Sequence, residues 1–71
     1  MAEHTERTWH LLLQQYGLES DSTRLWKAGV YNPEIVGKLR EEDLSDFRLQ
    51  GTWAQYCFMY KQETGKDHEH A

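Results

Sequence analysis

The chain has 71 residues, a formal charge of −4, 38 % apolar residues and one cysteine, Cys57. A chain this short has room for one domain and one modest core, so a second domain and a large enzyme cleft are excluded. The acidic balance disfavours phosphate-backbone binding, and a lone cysteine closes no internal disulfide, so a reducing, cytoplasmic setting is expected.

No positively charged leader precedes an apolar run, and Leu11 to Leu13 is too short to cross a bilayer, so no membrane association is expected. The chain begins with Met1 and carries no evident purification tag, which favours a complete small protein. At 13 % aromatic residues the composition favours a packed core over disorder.

Thr5 or a neighbour caps a first helix, in which Trp9, Leu12, Leu13 and Tyr16 recur at i, i+3, i+4 and i+7, one apolar stripe. Gly17 suits the left-handed residue that stops it, and Leu18 folds back on the last turn. Ser20, Asp21 and Ser22 offer N-cap oxygens to a short second helix carrying Leu25, Trp26 and Ala28, ended by Gly29. Asn32-Pro33-Glu34 starts a third helix with a capping side chain, a proline at N1 and an acid at the positive end. Ile35, Val36 and Leu39 give it a buried side, and Gly37 shortens it.

Glu41, Glu42 and Asp43 crowd the first turn of a fourth helix, where unpaired amides favour negative charge, while Leu44 and Phe47 face inward. Thr52 and Gln55 form a capping box for the last and longest helix. Its Trp53, Tyr56, Cys57 and Tyr60 follow the same stripe spacing, with Phe58 and Met59 widening it and Gly65 as the stop. The expected architecture is all-α, a compact bundle of four to five short helices with a longer C-terminal helix. A single helical domain occupies residues 5–65, and residues 66–71 form a flexible C-terminal tail.

The segment Leu39-Arg40-Glu41-Glu42-Asp43-Leu44-Ser45-Asp46-Phe47-Arg48-Leu49 resembles the leucine, polar cap, Glu-Glu-Asp-Leu, apolar, Gly-Ile stretch of sterile alpha motif domains. Leu25 and Val30 fall near the apolar pair that precedes it, and Trp9 to Leu18 resembles that family's first helix. Arg40 stands where a capping Thr or Ser is usual, and Arg48 stands where the family carries glycine. The resemblance implies a five-helix bundle used for self-association, for pairing with related domains, or less often for RNA hairpin binding. It also implies an acidic middle surface, to which Glu41, Glu42, Asp43 and Asp46 correspond, and a second surface at the start of the last helix, which here lacks lysine and arginine. Arg48, with Arg24 and Lys27, is left as the positive counterpart.

The expected function is therefore a noncatalytic protein interaction module whose partner is another protein or a second copy of the chain. Trp26 and Trp53 are its candidate anchors, because tryptophan dominates interface energies, although both are equally the stuff of a small core. A second reading takes Leu25 to Leu39 as a helix-turn-helix, its second helix presenting Asn32, Glu34 and Lys38 to nucleic acid. Repulsion from the following acids opposes it.

Catalysis has little to stand on. His4, His10, His68 and His70 have no Ser, Cys or carboxylate partner at a dyad or triad spacing, and Cys57 on an apolar stripe reads as a buried, inert thiol. His68-Glu69-His70 lacks the scaffolded ligand set of a zinc site. No enzyme activity, cofactor or metal is expected.

Overall fold

A computed structural model describes residues 5–71. The described residues form five α-helices: α1 (Glu6–Gln14), α2 (Ser22–Lys27), α3 (Pro33–Val36), α4 (Glu41–Asp46) and α5 (Trp53–Thr64), with one 3₁₀ turn at Glu19–Asp21 before α2. No strand occurs among the described residues, so the fold is all-α. None of these helices is long and apolar enough to cross a membrane.

The helix starts follow local chemistry. Thr5 Oγ1 accepts from the Thr8 amide at 3.2 Å, and Asn32 Oδ1 accepts from the Ile35 amide at 3.0 Å. At α5 the box is reciprocal: Gln55 N–H donates to Thr52 Oγ1 at 3.1 Å and Thr52 N–H to Gln55 Oε1 at 2.8 Å. At α4 only half a box is possible, because the Arg40 side chain has no acceptor. Asp43 Oδ2 therefore reaches back to the Arg40 amide at 2.9 Å.

Three helices end in the same way. Gly17 (φ +73°), Gly29 (φ +89°) and Arg48 (φ +58°) adopt the left-handed conformation. The next residue donates back across the turn, Leu18 N–H to Leu13 O (3.0 Å), Val30 N–H to Leu25 O (2.8 Å) and Leu49 N–H to Leu44 O (2.7 Å). Each closure is a Schellman motif that drops an apolar residue onto the helix it ends. Leu18 and Val30 thereby enter the core, and Leu49 packs against it.

That core comprises Trp9, Leu13, Leu18, Leu25, Val30, Val36, Leu39, Tyr56, Met59 and Tyr60. α1 lies against α2, and α3 against α5. Gly37 makes the second contact possible, since a Cβ there would meet the Tyr60 ring at 2.5 Å. The buried face of α5 is Tyr56, Met59 and Tyr60, turned from the expected stripe. Cys57 is consequently half-buried rather than buried, and Phe58, expected to widen the apolar face, is 57 % exposed with its ring edge against Tyr16.

Asp21 also departs from expectation. It caps nothing through its side chain and is fully buried. Its carboxylate accepts from Gln50 N–H (2.8 Å), Gly51 N–H (2.9 Å) and the Tyr56 hydroxyl (2.6 Å). Three donors satisfy a buried charge that would otherwise be costly. They tie the 3₁₀ turn to the loop before α5. Gly51 is part of this arrangement, because a Cβ there would lie 2.2 Å from Leu18 Cδ2.

Residues 66–71, expected as a flexible tail, place His68 in the interior at 5 % exposure. Its ring lies beside Trp53 and Tyr60, with centroids 4.9 and 5.3 Å away. Polar neighbours in the sequence conceal this packing, because the contacts that bury His68 come from α3 and α5.

Candidate interaction surface

The short α4 helix holds most of the residues singled out in the sequence. Glu41, Glu42 and Asp46 are exposed, whereas Asp43 is half-buried and its carboxylate is engaged at the Arg40 amide. Glu42 lies 3.9 Å from the Arg40 guanidinium, a solvent-exposed pair of small energetic weight. Leu44 and Phe47 fix the other side of the helix against the core. The result is an acidic edge on a helix whose apolar side is committed.

Arg48 follows directly. It is exposed, and among the described residues its guanidinium makes no hydrogen bond or ion pair. It is also the one residue other than glycine with positive φ among those described. A side chain in this region costs about 1 kcal/mol relative to glycine. Three exposed carboxylates and one cation held in a strained turn thus lie within eight residues.

The two tryptophans are half-buried and both pack against the core. Trp26 tilts against Tyr31 at 5.8 Å, while Trp53 meets His68 edge-on. They join different aromatic neighbours. Tyr31 is 43 % exposed, so the Trp26 side of the molecule presents aromatic surface to solvent.

Along α5 and the segment after it runs a shallow groove lined by Cys57, Phe58, Lys61, Gln62, Asp67 and His68, among others. Lys61 Nζ pairs with Asp67 Oδ1 at 2.9 Å, which holds the Asp67 carboxyl below the usual range. Burial pushes the Cys57 thiol up, and the Glu41 charge adds to the effect. A thiol shifted in this direction is a poor nucleophile at neutral pH.

Sequence reasoning missed the pairing of His10 and Ser22, whose Nδ1 and Oγ lie 2.9 Å apart. Ser22 is buried, and no carboxylate bonds to His10 among the described residues, so the pair joins α1 to α2 and exposes no nucleophile. No cluster of three or more metal-ligating side chains occurs among the described residues. His4 lies outside them.

The helix-turn-helix reading meets a geometric obstacle. Its second helix is α3, a single turn of four residues. Asn32 is occupied as the cap of that turn, and Val36 and Gly37 are buried on the α5 side. A recognition helix needs a free face long enough to reach several base edges.

No protein-family model, curated protein or solved structure matches this chain.

Proposed function

We propose that the protein is a noncatalytic interaction module, related in architecture to sterile alpha motif domains, that pairs with a second copy of itself or with another protein through the α4 edge and Arg48. The observation that carries this reading is Arg48, exposed and unpaired among the described residues in a backbone conformation that glycine adopts more cheaply. The closure that seats Leu49 uses only backbone atoms, so an arginine kept at this φ at a cost in strain is consistent with a functional demand on its side chain. The three closures support the same reading. Two use glycine, and the third carries an arginine at the end of the helix that bears the exposed Glu41, Glu42 and Asp46.

Mixed charge of this kind favours partner selection and register over raw affinity. The succession of short helices ending in a longer one, and the left-handed turn where the family carries glycine, also fit the resemblance.

Sedimentation across protein concentration, at low and high salt, tests the proposal together with pull-down by the tagged chain. Association or retention should weaken severalfold in Arg48→Glu and in Glu42→Lys, and should fall with salt. A chain that stays monomeric and retains no partner, or retention indifferent to both charge reversals, would overturn it.

A further inference from the structure

His68 is a buried ring in a stretch of chain that is otherwise exposed. Gly65, at φ +75°, ends α5 and lets the chain turn back. Lys61 pairs with Asp67 on the α5 side of the returning chain (2.9 Å), and Lys66 lies 3.9 Å from Glu34 on the α3 side, both pairs solvent-exposed. Between them His68 Nε2 lies 2.8 Å from Val36 O, while the His70 backbone N–H donates to His68 Nδ1 at 3.0 Å.

These two contacts define the ring's state. A backbone N–H only donates, so Nδ1 must present its lone pair, and Nε2 must carry the hydrogen given to Val36 O. Only the neutral Nε2–H imidazole satisfies both. Protonation adds a hydrogen at Nδ1, directly against the His70 N–H, and leaves a charge in a site walled by the Trp53 and Tyr60 rings. No carboxylate is bonded to the His68 ring to receive that charge among the described residues. Asp67 is held by Lys61, Glu34 faces Lys66, and Glu69 lies 3.9 Å from the His70 ring. The remaining titratable groups nearby are the His70 ring, its centroid 5.9 Å from that of His68, with Cys57, Tyr60 and Lys61 on α5 and Lys38 beyond α3.

We propose that residues 66–71 form a strap over the cleft between α3 and α5, closed by neutral His68 and released when that ring takes up a proton. Release uncovers the Trp53 and Tyr60 rings and frees the Val36 carbonyl. The inference stands independently of the interaction role proposed above, since it uses none of the α4 residues.

The test is nuclear magnetic resonance on the full chain from about pH 8 to about pH 5, the span in which imidazoles ordinarily titrate. At the upper end the His68 ring nitrogens should report the Nε2–H tautomer, and the amides of residues 67–71 should be as ordered as those of α5. As the His68 ring protonates, those amides should lose their order while α3 and α5 keep theirs. In His68→Ala the segment should be disordered at every pH, and in His70→Ala, which retains the backbone N–H, the pH-dependent release should persist. Order that survives protonation of His68, release that still depends on pH in His68→Ala, or loss of the whole fold in step with the segment would each overturn the proposal.

Discussion

Asp21 Oδ2 and the Tyr56 hydroxyl lie 2.6 Å apart in the interior, joining positions 35 residues apart in sequence. The same carboxylate gathers the Gln50 and Gly51 amides, so one buried side chain fixes where the chain enters α5. Asp21→Ala orphans all three donors. We expect a loss of about 3 kcal/mol or more, comparable with the whole stability of a domain this small. Tyr56→Phe leaves both amide contacts in place and should cost about 1 to 2 kcal/mol. Urea unfolding followed by tryptophan fluorescence measures both.

Alkaline pH should act on the same contact. Burial pushes the Tyr56 phenol well above its ordinary range, and the hydrogen bond to Asp21 and that carboxylate's charge push it in the same direction. The folded state therefore holds this proton more tightly than the unfolded chain does. The stabilisation is complete below about pH 10, where a free tyrosine starts to ionise, and declines as pH rises further. Tyr16, half-buried at the edge of the core, is pushed up to about 12, first by its hydrogen bond to Glu63 and then by burial and the Glu63 charge. Thermal melts at increasing alkaline pH should show a falling midpoint, with a shallower decline in Tyr56→Phe. An equal decline in that variant would contradict the assignment.

Arg48→Gly should stabilise the fold by about 1 kcal/mol, because glycine accepts φ +58° without a Cβ penalty. The Leu49 to Leu44 closure needs only backbone atoms and is retained. If the proposed function holds, the same variant gains stability and loses partner binding. Parallel unfolding and sedimentation experiments separate the two effects.

Gly51→Ala should be strongly destabilising, since its Cβ would meet Leu18 Cδ2 at 2.2 Å and the Tyr56 ring at 3.0 Å beside the Asp21 contacts. Overpacking of this kind costs about 1 to 3 kcal/mol, and displacement of the Gly51 amide adds to it. Gly29→Ala meets no neighbour within 4 Å, so its cost should be confined to backbone strain, about 1 kcal/mol. Chemical denaturation of the two variants should rank them in that order.

Helix boundaries were legible because they are local. Thr5, Asn32 and the Thr52–Gln55 pair act on amides three residues away, and Gly17 and Gly65 act on their own φ. Asp21 was not legible in this way. Its position among Ser20 and Ser22 suits an N-cap, and only the arrival of Gln50, Gly51 and Tyr56 from across the chain gives it a different role. The inward face of α5 lies part of a turn from the one its spacing suggests, because every position from Tyr56 to Tyr60 is apolar and periodicity alone leaves the phase open. Met59 took the interior and Cys57 the margin, since the α3 contact at Gly37 draws Tyr60 inward. Within the candidate surface, the exposed acids of α4 follow from their place at a helix start. The left-handed turn at Arg48 does not, because an arginine gives no local sign of it.

The most direct test of the interaction role is a set of amide spectra recorded over a range of protein concentrations, with and without added salt. The account predicts that shifts on raising the concentration, or on adding a partner captured by the tagged chain, are concentrated from Glu41 to Leu49, suppressed by salt and absent in Arg48→Glu. Shifts confined to other helices, or the same pattern persisting in Arg48→Glu, would contradict it.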